Sequence, residues 1–122
     1  NYFISGPATT NAANVYFQMG NQSVFNSGNY LDSTKNGRLD GKPLALGGGA
    51  KALSAPWSST TSSIPTSSAA AAYSYVVANA GAQPRDQVDS LVMGNVTSLG
   101  RTGSLWTTQK ATSLGNDGYG NA

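Results

Sequence analysis

The chain opens on short apolar runs broken by turn residues. Asn1-Tyr2-Phe3-Ile4 is aromatic and β-branched and closes at Ser5-Gly6-Pro7, which reads as a strand followed by a turn. Val15, Phe17 and Met19 alternate with Tyr16 and Gln18, and this predicts a second strand ending at Gly20-Asn21. Ser23-Val24-Phe25 and Asn29-Tyr30-Leu31 are two further runs, separated by Asn26-Ser27-Gly28. Strands this short make a poor hairpin sheet. They suit a solenoid, in which each strand pairs with the turns of chain above and below it. Asn1-Tyr2-Phe3 returns as Asn29-Tyr30-Leu31, 28 residues on, a spacing in the range of solenoid periods once a loop is inserted. In an Asn-rich chain, chance is the competing reading of that echo.

From Asp32 to Pro65 the pattern is irregular. Polar and Gly residues run through Asp32-Ser33-Thr34-Lys35-Asn36-Gly37 and Gly47-Gly48-Gly49, and ten of the fifteen residues from Ser54 to Ser68 are Ser or Thr. Pro56-Trp57 and Ile64-Pro65 place rigid and bulky groups inside that stretch, and a Trp is worth burying. The expectation is an extended strap laid along the body, with Trp57 as an anchor, rather than a free tether.

Helical periodicity follows. Ala69, Ala72, Tyr73, Val76 and Ala80 share a face, Thr66, Ser67 or Ser68 can cap the start, and Gly81 suits the position after the end. Asp86 can cap a second helix, with Asp89 near its positive end and Val88, Leu91, Val92, Val96 and Leu99 as its stripe. Gly100 ends it, and Gly94 inside it costs about 1 kcal/mol relative to Ala. The tail from Ser104 to Ala122 is expected to be extended, with Leu105, Trp106, Leu114 and Tyr119 as anchors. The organisation expected within one domain is strand rungs over 1–31, a strap over 32–65, two helices over 66–100 and a tail over 101–122.

Composition narrows the chemistry. The 122 residues hold no Cys and no His, which excludes disulfides, thiolate metal sites, thiol catalysis, His general bases and serine-type triads. Seven Lys and Arg against five acidic residues leave a net charge of +2, and the basic residues never form a run, so no nucleic-acid partner is expected. No stretch approaches the ~20 apolar residues of a membrane span, so no membrane partner is expected either. Any chemistry must rest on Asp, Arg, Lys, Tyr or a hard cation.

The loop after Leu31 is the one candidate for such a cation. Asp32, Thr34, Asn36 and Asp40 fall at positions one, three, five and nine of an oxygen-ligand calcium loop, with Gly37 at the sharp turn. Thr34 stands where an acid is usual, Pro43 stands where a bidentate Glu belongs, and Lys35 and Arg38 add opposing charge. Asp32, Asn36 and Asp40 are therefore weak metal candidates, and a plain Asx-rich turn is the competing reading. Lys35, Arg38 and Lys42 could touch an acidic sugar chain, against a default of solvated loop charges. Arg85-Asp86 reads as a helix cap plus a surface or inter-segment ion pair rather than a base with its orienting carboxylate. Tyr2, Tyr16, Trp57 and Trp106 could stack on sugar rings, though alternating aromatics more often stack on one another. Asn21-Gln22-Ser23 and Asn95-Val96-Thr97 are glycosylation sequons, the second inside a predicted helix.

Several islands resemble a known family in the right order along nearly the whole chain. Asn1-Tyr2-Phe3-Ile4-Ser5-Gly6-Pro7-Ala8-Thr9-Thr10 is similar to a stretch late in the β-helix of family 1 polysaccharide lyases, the pectate lyases. Asn21-Gln22-Ser23-Val24-Phe25 with Ser27-Gly28-Asn29 resembles their next rung, and Ser54-Ala55-Pro56-Trp57-Ser58-Ser59-Thr60-Thr61 the segment leaving the helix. Ala80-Gly81-Ala82 with Pro84-Arg85-Asp86 and Val88-Asp89 is the most specific match, similar to a block that closes many of these enzymes.

The resemblance implies a secreted enzyme that cleaves polygalacturonate by β-elimination. In that family calcium bridges substrate carboxylates to an acidic cluster and an Arg is the base, and those residues lie upstream of Asn1 in the pattern. No catalytic residue is therefore assigned in this chain. The expected fold is all-β, a right-handed parallel β-helix represented by its last rungs, with a long irregular strap and two short C-terminal α-helices. The expected partners are the N-terminal part of the same polypeptide and pectin. The alternative is a non-catalytic carbohydrate-binding or self-associating β-solenoid fragment.

Overall fold

The computed structural model of the protein describes residues 1–58 and 65–121. Five short strands precede two helices: β1 Tyr2–Ile4, β2 Ser23–Val24, β3 Tyr30–Asp32, β4 Lys42–Pro43 and β5 Lys51–Ala52, then α1 Ala69–Asn79 and α2 Gln87–Thr97. Two 3-10 turns, Gln109–Thr112 and Asn116–Gly118, lie in the tail.

The strands form two separate sheets, ordered β1-β3-β4 and β2-β5. β1 runs parallel to β3 with Tyr2 opposite Tyr30, Phe3 opposite Leu31 and Ile4 opposite Asp32. β2 runs parallel to β5 with Ser23 opposite Lys51 and Val24 opposite Ala52. Both registers are offset by the same 28 residues. The echo of Asn1-Tyr2-Phe3 in Asn29-Tyr30-Leu31 is thus a pairing in space.

Backbone and side chains serve this pairing together. Tyr30 N–H donates to the Asn1 carbonyl at 2.9 Å and Ser5 N–H to the Asp32 carbonyl at 2.8 Å. In the second sheet Lys51 N–H donates to Gln22 at 2.8 Å and Leu53 N–H to Val24 at 2.9 Å. Asn1 Nδ2 donates to Asn29 Oδ1 at 2.9 Å, and the Tyr2 and Tyr30 rings stack with centroids 5.6 Å apart. β4 then turns back antiparallel on β3, with Leu31 opposite Lys42, and covers that edge of the first sheet. Asn1 C=O and Ser5 N–H face β3, so strand alternation turns the peptide groups of Tyr2 and Ile4 toward the other side. That side of β1 carries no strand among the described residues.

The helices follow their local signals. Ser68 caps α1 by accepting from Ala71 N–H at 3.2 Å, and Gly81 follows its end with φ of 84°. Asp86 caps α2 by accepting from Asp89 N–H at 2.8 Å. α2 stops at Thr97, because Leu99 and Gly100 both take positive φ, 50° and 87°. α1 touches both β1 and α2. Its inner face differs from the expected one by a single residue: Val76 is 50% exposed, whereas Val77 joins Ala69, Ala72, Tyr73 and Ala80 on the covered side. Ala69 is the one fully buried apolar residue among those described, so the interior is thin.

Four expectations change. Val15 to Met19 forms no strand, because Gln18 adopts φ of 53° and the Tyr16 hydroxyl turns to Asn26, leaving Phe17 60% exposed. The stretch expected as an irregular strap contains β4 and β5, whose ladder bonds come from residues far away in sequence and so leave no local pattern. Trp57 is not buried as an anchor, standing 80% exposed, and neither are Leu105 at 83% and Tyr119 at 63%. The tail curls rather than extends, since Gly118 C=O accepts from Gln109 Nε2 at 3.0 Å and Thr112 Oγ1 at 2.8 Å, and Asn121 N–H reaches Gln87 Oε1 at 2.9 Å. The expected contribution of Ile64, and the part of the Ser/Thr-rich segment over 59–64, lie outside the described residues. No helix among the described residues is long and apolar enough to cross a membrane.

Candidate functional site

The loop between β3 and β4 gathers most of the polar side chains singled out in the sequence. Asp32, 1% exposed, sits at its root. Its Oδ1 accepts from Thr34 N–H at 3.1 Å and Thr34 Oγ1 at 2.9 Å, and its Oδ2 accepts from Asp40 N–H at 3.2 Å. Asp40 closes the same ring from the outside: Oδ2 accepts from Asn36 Nδ2 at 2.8 Å, and Oδ1 lies 3.0 Å from Thr34 Oγ1, whose single hydrogen is shared between the two carboxylates. Asn36 Oδ1 in turn accepts from Arg38 N–H at 2.8 Å. The Asn36 hydrogen bond, with smaller help from Thr34 and Arg38, holds the Asp40 carboxyl below the usual Asp range, against a weaker opposing effect of desolvation.

Asp32, Asn36 and Asp40 are therefore brought together, but their oxygens already accept from N–H and O–H groups of the loop. A calcium ion asks for six to eight oxygens pointing at one point. Here only two carboxylates are present, both turned to protein donors, and among the described residues no three or more His, Cys, Asp or Glu side chains group where they could hold a metal ion. These residues do not fit calcium. They form a self-satisfied Asx turn.

The loop is instead a structural hub. Lys35, with φ of 54°, sends its Nζ to the carbonyls of Thr9 at 2.8 Å and Pro7 at 3.2 Å, tying the loop to the turn after β1. Arg101 Nε donates to the Asn36 carbonyl at 3.0 Å and Gly37 N–H to the Leu99 carbonyl at 3.2 Å, tying it to the end of α2. Gly100 sits inside this junction, where a Cβ would lie 2.6 Å from the Ser5 carbonyl oxygen. Lys35 is spent on carbonyls, while Arg38 and Lys42 remain exposed. The part played by Arg101 was hidden in the sequence, since its partner is 65 residues away.

Arg85 works on backbone carbonyls. Its Nη2 donates to Val77 at 2.6 Å and Ala80 at 3.0 Å, and its Nε to Ala80 at 3.3 Å. The guanidinium thus satisfies carbonyls that the end of α1 leaves open, while Asp86 caps the start of α2. In place of the expected surface or inter-segment ion pair, Arg85 makes this clamp on the carbonyls at the end of α1. The block Ala80-Gly81-Ala82 with Pro84-Arg85-Asp86 is a helix-to-helix corner.

Aromatic groups divide in two. Tyr2 stacks on Tyr30, and Tyr16 lies edge-on to Phe3 at 6.3 Å while its hydroxyl donates to Asn26 Oδ1 at 2.6 Å, so both belong to the stack between strands. Trp57 is free on the surface, and Trp106 is half-buried beside an open groove of about 620 Å³. That groove runs between the turn after β1 and α2, and Ile4, Pro7, Val92, Val96 and Leu105 give it an apolar floor. Among the described residues that line it there is no acid or base to move a proton.

No family model matches the sequence, and no solved structure matches the chain. Curated proteins do match. The probable pectate lyase C of Neosartorya fischeri and those of two Aspergillus fumigatus strains are each 38% identical over 112 residues, covering 86% of this chain. The chain is a relative of the pectate lyases. It spans 26% of the length of each of these relatives, so the similarity concerns about a quarter of them. This agrees with the resemblance carried by the Asn-Tyr-Phe and Pro-Arg-Asp islands.

Proposed function

We propose that the chain is the C-terminal part of a secreted pectate lyase and completes its solenoid. The observation that carries this reading is the common 28-residue offset of two separate parallel strand pairs, in a chain whose curated relatives are named pectate lyases. On this reading the two offsets are the last turns of a right-handed parallel β-helix. The bare side of β1 receives the preceding turn, and the apolar groove beside Ile4 and Val92 is covered by the upstream polypeptide. A chain with one fully buried apolar side chain among its described residues gains most of its stability from such stacking.

Polygalacturonate cleavage by β-elimination, and the calcium that the resemblance implies, belong on this reading to the upstream part. On this reading the loop at Asp32–Asp40 acts as a brace, supported by the hydrogen bonds that its carboxylates accept from within the loop. The test is an assay of the full-length protein with polygalacturonate and calcium, read as absorbance of the unsaturated product, beside the same assay on residues 1–122 alone. Product from the full-length protein and none from the short chain is the expected result. A full-length protein that binds polygalacturonate without making product would instead favour a non-catalytic carbohydrate-binding solenoid.

A further inference from the structure

Two tripeptides of the chain have the form Asn-x-Ser/Thr without a central Pro, Asn21-Gln22-Ser23 and Asn95-Val96-Thr97. In sequence they are equivalent. The fold separates them by how much of each is already in use.

Asn21 lies in the turn that leads into β2, with φ of 65°, a left-handed conformation that Asn adopts at lower cost than most side chains. Asn21, Gln22 and Ser23 are all exposed. What holds this turn is its backbone: Gln22 N–H donates to Met19 C=O at 3.2 Å, Gln22 C=O accepts from Lys51 at 2.8 Å, and Met19 N–H reaches Gly48 C=O at 3.0 Å. The turn is thus fixed without the Asn21 side chain, which projects from a defined corner where residues 18–22 meet the Gly47–Ala50 turn.

Asn95 is the opposite case. It is half-buried within α2, its Oδ1 accepts from Thr102 Oγ1 at 3.3 Å, and it lines the apolar groove. The Thr97 hydroxyl is committed to the carbonyls of Met93 at 3.0 Å and Gly94 at 3.2 Å. An oligosaccharide at Asn95 would have to displace the segment at Thr102 and Gly103, which packs on this side chain.

We propose that Asn21 is an N-glycosylation acceptor and that Asn95 is not, an inference that rests on the reading of the protein as secreted. The donor is an oligosaccharide carried on a lipid diphosphate. Asn21 Nδ2 forms a bond to the anomeric carbon of the sugar as the bond from that carbon to the diphosphate oxygen breaks. The lipid diphosphate leaves with the bonding pair, and the amide nitrogen loses one proton to a base of the transferase. No oxidant or reductant is needed. A glycan there adds a bulky polar cover to an exposed corner of the solenoid.

The test is to secrete the full-length protein from yeast behind a heterologous leader, release N-glycans enzymatically in heavy-oxygen water and map the peptides. The expected result is the heavy-oxygen Asn-to-Asp mark at Asn21 in most molecules and none at Asn95. Ser23→Ala, which leaves Asn21 and its turn untouched, abolishes the mark, and Asn95→Gln leaves it unchanged. Secreted protein without a mark at Asn21, or with one at Asn95, overturns the proposal. The borrowed leader keeps this separate from the reading beneath it. Failure of the protein to leave cells under its own leader would count against secretion alone, while the leader-driven material still reports on Asn21.

Discussion

Tyr2 and Tyr30 stack across the parallel β1–β3 pair, with ring centroids 5.6 Å apart and planes inclined by 26°. The residues just before them, Asn1 and Asn29, are joined through their side chains at 2.9 Å. Successive turns of chain are therefore matched in like-on-like contacts as well as in backbone register. Tyr2→Leu and Tyr30→Leu, which keep apolar bulk, should each destabilise the full-length protein in urea denaturation. The double variant should cost less than the two singles together, by about 0.5–1.5 kcal/mol for an aromatic pair. Strict additivity would show that the stack contributes nothing beyond its area.

Arg85→Lys removes the planar fork that serves Val77 and Ala80 at once. Losing hydrogen bonds from a charged donor to half-buried carbonyls is expected to cost about 1.5–3 kcal/mol. Thermal unfolding followed by circular dichroism checks this, and a melting temperature equal to that of the unsubstituted protein would rule out the clamp.

Two glycines should respond in opposite directions. Gly100→Ala places a Cβ against the Ser5 carbonyl at φ of 87°, and should destabilise by about 1–3 kcal/mol. Gly94→Ala meets nothing within 4 Å inside α2, and should stabilise by about 1 kcal/mol through helix propensity. Chemical denaturation of the two variants side by side measures both signs.

Asn36→Ala removes the principal hydrogen bond that lowers the Asp40 pKa, so the carboxyl should titrate closer to its ordinary value of ~3.9. Because the folded-state pKa is depressed, the stabilising contribution is complete above the unfolded value and is lost as pH falls through the folded one. The part of the stability gap between the two proteins that runs through Asp40 should therefore be lost as pH falls below about 4. Carboxyl carbon shifts in an NMR titration would locate the change, and an unmoved Asp40 midpoint would refute the assignment.

If the full-length protein is the calcium-dependent lyase proposed above, Asp40→Asn should leave the calcium concentration for its half-maximal activity unchanged, since the Asp32 and Asp40 carboxylates are turned to donors within the loop. A calcium titration of activity decides it. A weakened calcium response would make the loop a metal site after all.

Some of this was legible residue by residue. Ser68, Gly81 and Asp86 announced the helix ends because caps act through side chains and backbone groups within three or four residues of each other. The repeat of Asn1-Tyr2-Phe3 in Asn29-Tyr30-Leu31 was visible because like residues stack in register. β4 and β5 were not visible, because two-residue strands carry no periodicity and take their hydrogen bonds from distant chain. The alternation at Val15 to Met19 misled because one left-handed residue, Gln18, cancels a strand without altering its pattern.

The sequence alone determined the chemistry that is absent, the two capped helices, the repeat and the kinship with pectate lyases, all of which rest on residue type and short-range order. Only the tertiary structure decided that Asp32, Asn36 and Asp40 form a brace, that Arg85 caps α1, and that Arg101 and Lys35 bind three segments at Gly100. The reason is that a donor or acceptor reads the same in a sequence whether it faces a ligand or a neighbouring carbonyl. Its use is settled by which distant backbone group the fold brings within 3 Å or so of it.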